Sequence, residues 1–323
     1  MNKFVVITSI FPATEAVKKF TALKDWQLIV VGDKKTPIDW RYKNVIYLSP
    51  EEQEKLPYKV IKHLPWNSYC RKIAGYLYAI HHGADIIADT DDDNIPYDTW
   101  GQDVSFDGKF ETIEKEGFIN IYKLFTEEHI WPRGYPLSNI LEKDTFQVTQ
   151  KSHNVGIWQY LADEDPDVDA IYRLTINKSV YFKKRKNIVL EKGVLTPFNS
   201  QNTFFRKELF PLLYLPAFVT FRFTDILRGL VAQPLLWQAG YRLGFGEATV
   251  IQKRNPHNYL RDFESEIPCY LTPERVITIA RNAIDQQVSL HENILRVYVA
   301  LKKEKIVTKE EVRTVSLWLD NLS

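Results

Sequence analysis

The chain has few cysteines and no long apolar run, and both absences narrow the kind of protein it can be. Its 323 residues include only Cys70 and Cys269, which make neither a metal-ligand spacing nor a disulfide framework. No stretch reaches the roughly 20 apolar residues of a membrane span. The most apolar region, 209–221, is interrupted by Pro211 and Pro216. We therefore expect a protein of a reducing compartment, the cytoplasm, without a transmembrane segment.

A strong charge of either sign is also absent. The chain carries 42 Lys and Arg against 41 Asp and Glu, a formal net charge of +1. No overall field therefore draws it to nucleic acid or to an anionic membrane, so nucleic acid is not an expected partner. The apolar N-terminal run, 4–10, is broken by Thr8 and Ser9 and is not followed by a small-residue cleavage site. It predicts a strand rather than a signal peptide.

Three well-known phosphate and cation motifs are missing as well. Neither the P-loop pattern G-x-x-x-x-G-K-[ST] nor the dinucleotide pattern G-x-G-x-x-G occurs in the sequence. The segment 89–100 begins with several acids like an EF-hand loop. It lacks the glycine at the sixth position and the glutamate at the twelfth, so an EF-hand is not expected.

Alternating strand and helix patterns fill the first hundred residues. Runs of apolar and β-branched residues predict strands at 4–10, 26–33, 43–49 and 84–89. Apolar spacing predicts a helix at 67–83, with Ser68 as its N-cap. Such alternation indicates an α/β protein with a mostly parallel sheet and flanking helices. Ligands of such sheets bind at the carboxyl ends of the strands.

The rest of the chain divides into a less regular region and a helical tail. We predict one domain over 1–270, with a nucleotide-binding half at about 1–100 and an acceptor half at about 101–270. The amphipathic pattern of 271–323 predicts a C-terminal extension of two or three helices, which begins with Pro273 at a first helical position.

Four carboxylates in five residues, "DTDDD" at 89–93, follow the fourth predicted strand. Unpaired carboxylates at the end of a buried strand repel one another and are costly to bury. A divalent cation such as Mg²⁺ or Mn²⁺, which prefers oxygen ligands, removes that conflict. In an extended segment Asp89 and Asp91 point to one side, so one can contact the sugar of a nucleotide and the other a metal. An exposed acidic turn is the alternative.

A series of motifs between about residues 4 and 265 resembles one known family. In order, the motifs are "VVITSI", "WQLIVVGDKKTPIDW", "HLPWNSYCRKIAGYLYAIHHGA", the D-x-D segment, "WPRGYPL", "DPDVDAIYRLT", "TPFNSQNTFF" and "TDILRG". Together they resemble the STELLO family of glycosyltransferase-like proteins of the plant Golgi, itself distantly similar to reversibly glycosylated polypeptides. The resemblance implies a GT-A type fold with a D-x-D metal site. We do not carry over the Golgi location, because this chain begins directly at the expected catalytic domain.

The resemblance implies roles for residues of the nucleotide-binding half. Asp33, which ends the second strand, resembles the carboxylate that binds the nucleotide base; it could equally be a turn residue. Arg71 and Lys72 would bind the diphosphate, since an arginine fork chelates phosphate well, or would form an ordinary solvated helix end. Asp89 and Asp91 would contact the ribose and the metal, and Asp92, next to them, is a possible second contact.

In the acceptor half the motifs indicate sugar contacts. Arg133 in "WPRG" would line the sugar or acceptor pocket, or would belong to a structural corner. Asp167 and Asp169, which precede a possible strand at 170–176, would bond to sugar hydroxyls, or would belong to a turn.

Asp225 at the start of a predicted helix resembles the general base of inverting GT-A enzymes. A general base must lie within about 3 Å of the proton it takes; the alternative is a charge that favours the helix dipole. Arg228, one turn on, would pair with Asp225 or with a phosphate. His257 resembles the C-terminal metal ligand of many GT-A enzymes, although a lone histidine can also be structural, and the neighbouring Arg254 and Lys253 suit a diphosphate.

The function expected from these residues is metal-dependent sugar transfer. A nucleoside diphosphate sugar, UDP-linked, would donate its sugar to a hydroxyl of a carbohydrate or glycoconjugate acceptor, with Mn²⁺ or Mg²⁺ as cofactor. A base at Asp225 would favour inversion of configuration. Two alternatives share the same contacts: a non-catalytic nucleotide-sugar-binding scaffold that assists another glycosyltransferase, and a nucleotide-sugar mutase that needs no acceptor.

Overall fold

A computed structural model describes residues 1–102, 104–142, 146–255 and 257–322, so Ser323 of the predicted extension lies outside the described residues. In these ranges twelve strands and nine α-helices are found. The strands are β1 (Lys3–Thr8), β2 (Gln27–Val31), β3 (Val45–Leu48), β4 (Ile86–Thr90), β5 (Asn94–Pro96), β6 (Asp107–Glu114), β7 (Gly117–Phe118), β8 (Gln147–Asp163), β9 (Ile188–Leu190), β10 (Val194–Leu195), β11 (Asn202–Arg206) and β12 (Arg242–Gln252). The helices are α1 (Glu15–Phe20), α2 (Pro50–Lys55), α3 (Lys72–His81), α4 (Ala170–Thr175), α5 (Thr224–Gln238), α6 (Tyr259–Leu271), α7 (Pro273–Ala283), α8 (Leu290–Lys303) and α9 (Lys309–Asp320).

The four N-terminal strands form a parallel unit in the order β3-β2-β1-β4. Successive residues of β1 face opposite sides of the sheet, as the strand period requires. Phe4 and Val6 belong to the core that includes α3, and Val5 and Ile7 to the core that includes α1. This two-sided burial explains why all four predicted strands are nearly continuous apolar runs.

Beyond β4 the sheet is mixed rather than purely parallel. The ten-stranded sheet has the order β3-β2-β1-β4-β11-β8-β6-β9-β12-β5. Strand β11 is antiparallel to both β4 and β8, and β5 is antiparallel to β12. Parallel neighbours need long crossovers, usually helical. Between β5 and β11 the only α-helix in the described ranges is the six-residue α4. The α/β class is confirmed, and the arrangement is consistent with a GT-A type fold.

The C-terminal helices pack against the rest of the chain. The predicted tail helices are present as α7, α8 and α9, with Pro273 in the first turn of α7. Buried residues of these helices, including Val297 and Trp318, belong to the same apolar core as α3 and α5. Helix α6 was not predicted, and the possible strand at 170–176 was wrong, because that segment forms α4 with Asp169 as its N-cap.

Among the described residues, no helix has both the length and the apolar composition needed to cross a membrane. The cytoplasmic location stays a prediction.

Replacement of Gly75 by alanine tests how closely α3 lies on the sheet. A Cβ atom at this position would lie 2.5 Å from Val6 Cγ1 and 2.8 Å from Val31 Cγ2. We expect Gly75→Ala to lower the free energy of unfolding by about 1–3 kcal/mol through overpacking, measured by urea denaturation.

The double variant Gly75→Ala, Val6→Ala is the control for this prediction. It removes one of the two crowding atoms, so its loss of stability should be smaller than the sum of the two single losses. Additive losses, or an unchanged stability of Gly75→Ala, would show that α3 does not contact β1 this closely.

Candidate active site

The acidic segment forms a short, firmly held loop between β4 and β5. Strand β4 lies in the centre of the sheet, and β5 pairs with the end of β12 through Ile95 and Ile251. Thr90 Oγ1 and Asn94 Nδ2 both donate to the carbonyl oxygen of Gln201, at 2.7 and 2.8 Å. The loop 91–93 is therefore fixed at both ends, at the carboxyl end of a parallel strand.

A buried lysine joins the two carboxylates of the D-x-D motif. Lys72 Nζ lies 2.8 Å from Asp89 Oδ1 and 2.9 Å from Asp91 Oδ1, and it is fully buried. Asp89 is also fully buried, and its Oδ2 accepts from Arg228 Nη1 at 2.7 Å. Tyr69 donates its hydroxyl proton to Asp91 Oδ1 at 2.6 Å. Two cations thus balance two carboxylates inside the protein.

The two carboxylates respond differently to this arrangement. Burial alone would raise the pKa of Asp89, but the charges of Lys72 and Arg228 outweigh burial, and the pKa lies below its ordinary value. The pKa of Asp91 is raised, because burial outweighs the charge of Lys72 and the hydrogen bond from Tyr69. Asp89 is therefore a structural anion, whereas Asp91 remains half-exposed at the surface of the cleft described below.

The remaining two carboxylates of the loop have no cation bonded to them in the described residues. Asp92 Oδ2 accepts a hydrogen bond from Ser9, and Asp93 Oδ2 accepts from Gln252 Nε2 at 3.1 Å. Burial, with added repulsion from Asp91, raises the pKa of Asp92 to about 6 and that of Asp93 to about 7. Asp93 Oδ1 is buried and accepts no hydrogen bond from the described residues.

Arg133 holds two further carboxylates together. Its guanidinium bonds Asp167 at 2.9 and 2.7 Å and Asp225 at 3.1 and 3.0 Å, each bidentately. All three side chains are buried, with 4–7% of their surface exposed. Burial would raise the pKa of Asp167, but Arg133 and Arg222 outweigh it and lower the pKa to about 2.

Asp225, the predicted base, lies in the first turn of α5. Its two oxygens accept four hydrogen bonds: two from Arg133, one from the backbone N–H of Ile226 at 3.1 Å and one from that of Ser200 at 3.3 Å. A carboxylate offers about four acceptor positions. In this conformation every one of them is occupied.

The two predicted diphosphate arginines donate to protein groups. Arg228 pairs with Asp89 rather than with the predicted Asp225, and its Nη2 donates to Asn199 O and to Ser200 Oγ. Arg71 is 1% exposed. Its Nε and Nη2 donate to Gln53 Oε1, its Nη1 donates to Ile61 O, and its plane lies 3.8 Å from the centroid of Trp66.

Asp33 and His257 also have partners within the protein. Asp33 accepts hydrogen bonds from the backbone N–H groups of Lys34, Asn67 and Ser68 at 2.6–3.2 Å, and so holds the turn that precedes α3. The predicted side-chain cap by Ser68 is not formed. His257 Nδ1 lies 2.9 Å from Asp262 Oδ2.

One cleft of about 380 Å³ brings most of these residues together. The predicted residues in its wall are Asp33, Arg71, Asp91, Asp92, Arg133, Asp167, Asp225, Arg254 and His257. Lys72, Asp89 and Arg228 form the buried charge network behind this wall. Asp169 lies outside the wall, where it caps α4 and accepts from Trp131 Nε1 at 2.6 Å.

The sequence analysis missed several residues of the wall. They are Ser9, Tyr69, Asp93, Gln201, Phe221, Arg222 and Gln252. Tyr69 could have been predicted from the sequence, because it stands two residues before Arg71, which was already a candidate site residue. Ser9 directly follows β1, the parallel neighbour of β4, and Asp93 belongs to the acidic segment itself. Gln201, Phe221, Arg222 and Gln252 come from segments far along the chain, and no local pattern predicts that they lie near 91–93.

Removal of the Lys72 charge tests the buried network. We expect Lys72→Met to lower the free energy of unfolding at pH 7 by about 3–5 kcal/mol, because Arg228 alone then balances the fully buried Asp89, and the partly exposed Asp91 loses its cation. Urea denaturation measures the loss, and Lys62→Met, on the exposed Lys62, is the control that should change little. Equal stability of both variants would contradict the network.

The raised pKa values of Asp92 and Asp93 predict a pH dependence of stability. A carboxyl group whose pKa is higher in the folded state stabilises the fold below its unfolded value, 3.8 here, and that contribution is lost as the pH rises through about 6 and 7. We therefore expect the metal-free protein to lose stability between pH 5 and 8. Asp93→Asn should reduce that loss by an amount on the order of 2 kcal/mol.

Thermal unfolding in EDTA across this pH range measures the difference between the two proteins. The exposed Asp98, five residues on, provides the control variant Asp98→Asn, which should follow the wild-type profile. If Asp93→Asn and the wild type lose stability to the same extent over this pH range, the raised pKa of Asp93 is refuted.

Comparisons with known proteins agree with the motifs. The model of a family described as STELLO glycosyltransferases matches residues 222–323. The "Probable glycosyltransferase STELLO1" of Arabidopsis thaliana is 29% identical over 342 aligned residues, which cover 99% of this chain and 44% of that protein. "Probable glycosyltransferase STELLO2" of the same plant is 28% identical over 349 residues, with the same shares. The chain thus spans less than half the length of these relatives. The predicted resemblance to the STELLO family is confirmed, because its family model matches the C-terminal third and the similarity to STELLO proteins covers nearly the whole chain.

Proposed function

We propose that the cleft binds a nucleoside diphosphate sugar with Mn²⁺ or Mg²⁺ and that the protein transfers the sugar to an acceptor hydroxyl. The supporting observation is that two of the three carboxylates in the loop 91–93, those of Asp92 and Asp93, have no cation bonded to them in the described residues. Lys72 and Arg228 neutralise Asp89 and one oxygen of Asp91, whereas Asp92 and Asp93 are bonded by neutral donors and have raised pKa values. Such a cluster favours a bound cation.

The residues of the loop fit a divalent cation of the hard, oxygen-binding kind. In the described ranges no group of three or more His, Cys, Asp and Glu side chains is arranged to hold a metal by itself. Mg²⁺ commonly takes only one or two protein carboxylates and completes its shell with water and substrate phosphates. Asp91 and Asp93 would supply these two, since both face the cleft. When bound, the cation neutralises the charge that develops on the diphosphate leaving group.

The protein's own side chains orient the reactants in this proposal. Lys72 and Tyr69 fix the Asp91 carboxylate through one oxygen, so its direction into the cleft is set before any ligand arrives. Arg254, in the wall, lies 2.8 Å from Asp165 and presents a cation toward the diphosphate region. Uridine diphosphate as the nucleotide, and His257 as a further metal ligand, are proposed from the family resemblance.

Asp225 is our proposed base for an inverting transfer, on one condition. One of its four hydrogen bonds must be exchanged for the acceptor hydroxyl before the carboxylate can take the proton. The bond from Ser200 N–H, the longest at 3.3 Å, is the easiest to give up.

The four hydrogen bonds that occupy the Asp225 carboxylate also favour a second candidate function. If none of the four hydrogen bonds to Asp225 is released, the cleft binds a nucleotide sugar without transfer, as a non-catalytic protein that assists another glycosyltransferase would. Incubation with nucleotide sugars and Mn²⁺ separates the two, because only an enzyme releases free nucleotide, and Asp225→Asn should abolish that release. The configuration of the product, determined by NMR, then tests inversion.

A nucleotide and metal screen tests binding directly. At a free ligand concentration 100 times its Kd, binding should raise the free energy of unfolding by about 2.7 kcal/mol. We expect a rise in melting temperature with UDP plus Mn²⁺ that exceeds those with GDP or CDP. Asp93→Asn should lose the manganese-dependent part, while the control Asp98→Asn keeps it.

The combination of effects in Asp93→Asn makes this test sharp. The variant should be more stable than the wild type in EDTA at pH 8 and yet respond less to metal and nucleotide. A simple loss of folding would reduce both properties. Absence of a shift with every nucleotide, in the wild type and with Mn²⁺ present, would refute the proposal.

A further inference from the structure

Two of the described residues in the cleft wall, Phe11 and Phe221, are exposed aromatic side chains, and Phe221 is the more exposed. Phe221, in the 3-10 turn Phe221–Phe223 that precedes α5, has 59% of its surface exposed. Its ring packs edge-on against Tyr69, with 5.9 Å between the ring centroids. Tyr69 in turn bonds Asp91. Phe221 thus presents an open aromatic surface beside the acidic loop and four residues before Asp225.

This surface has the chemistry that one face of a sugar ring requires. The C–H groups of a pyranose form an apolar face, while its hydroxyls need polar partners. Ligand pockets typically combine aromatic walls with a few placed polar groups. Here the aromatic wall is Phe221, and the polar groups beside it are Asp91, Arg222 and Asp225, all in the same cleft.

The backbone before Phe221 is irregular, and two helices fix it from opposite directions. From α9, the carboxylate of Glu311 accepts the N–H groups of Ala217 and Phe218 at 3.0 and 2.7 Å, together with the Tyr214 hydroxyl. From α6, Ser265 accepts Thr220 Oγ1 through its carbonyl at 2.6 Å and the Arg222 N–H through its Oγ at 3.2 Å.

Glu311 is an unusual residue for a side chain whose only role is to stabilise the fold. It is fully buried, and its bonded partners among the described residues are neutral donors without a cation. Burial accordingly raises the pKa of Glu311. A buried carboxylate without a counter-ion is costly, and an apolar residue would pack more favourably. Its position is consistent with fixing the backbone at 217 and 218, three residues before Phe221, rather than with adding stability.

We propose that Phe221 is the stacking surface for the sugar ring of the bound donor and that Glu311 of α9 is the positioning residue that holds it there. The inference rests on the proposed function and deepens it. It also gives the C-terminal helices a role in the site, since α9 reaches the cleft through Glu311, Phe218 and Phe221.

The stacking surface is tested by comparing a nucleotide with its sugar conjugate. In Phe221→Leu the apolar side chain is kept and the ring is lost. We expect the affinity for UDP with Mn²⁺ to be unchanged, while the affinity for the preferred UDP-sugar falls about 3- to 10-fold, as loss of an aromatic contact does. Phe263→Leu, on an exposed aromatic of α6 outside the cleft wall, is the control.

The positioning role is tested by hydrogen exchange and by the same binding pair. Glu311→Gln keeps the shape but loses one carboxylate oxygen, so we expect faster exchange of the Ala217 and Phe218 amides and the same selective loss of sugar affinity. Glu310→Gln is the matched control on α9, because it makes the same chemical change at the exposed neighbouring residue. It should leave the 217–218 amides protected.

The outcomes separate the proposals. If the wild type binds no nucleotide, the proposed function fails, and the stacking surface fails with it. If the wild type binds the nucleotide and Phe221→Leu keeps the wild-type ratio of affinities for UDP-sugar and UDP, the stacking surface alone is refuted. If Glu311→Gln leaves hydrogen exchange of the 217 and 218 amides unchanged, the positioning role of Glu311 is refuted. Because Phe221 is exposed, Phe221→Leu tests the stacking surface even if Glu311→Gln folds poorly.

Discussion

The candidate site depends on one buried ammonium group. Lys72 Nζ lies within 3 Å of both Asp89 and Asp91 and, with Arg228 on the far side of Asp89, balances the charge at the end of β4 from inside the protein. Because this balance uses up Asp89, the D-x-D motif does not present two equal carboxylates to the cleft. The carboxylates without a bonded cation in the described residues lie further along the chain, at Asp92 and Asp93, and Asp91 is bonded to Lys72 through one oxygen only.

The fold explains why the carboxylates of the loop 91–93 stay close together. Strand β4 ends in the parallel half of the sheet, and β5, bound to β12, begins directly after the loop, so the three side chains cannot move apart. The raised pKa values of Asp92 and Asp93 are the cost of that restraint. Across the cleft Arg133 bonds both Asp167 and Asp225, and Arg222 lies 3.7 Å from Asp167. The open carboxylates therefore stand out against a background of paired charges.

Local pattern predicted the parallel strands, α3 and the tail helices well, because apolar periodicity is a local property of the chain. The mixed part of the sheet beyond β4 was not predicted, since pairings such as Thr203 with Asp89 join residues more than a hundred positions apart in the chain. The residues singled out as ligand contacts were mostly brought to one cleft. Their bonding was not foreseeable: Arg71 and Arg228 looked like phosphate ligands in sequence, and only the structure shows the acceptors already bound to them.

The central claim is that Lys72 and Arg228 balance the charge of Asp89 inside the protein and that any metal cation is held by Asp91 and Asp93. Anomalous diffraction from crystals grown with Mn²⁺ and uridine diphosphate locates the metal without reference to activity. The account predicts a manganese peak within bonding distance of Asp91 and Asp93, with Asp89 still paired to Lys72 and Arg228. A peak on Asp89, with Lys72 displaced, would contradict it.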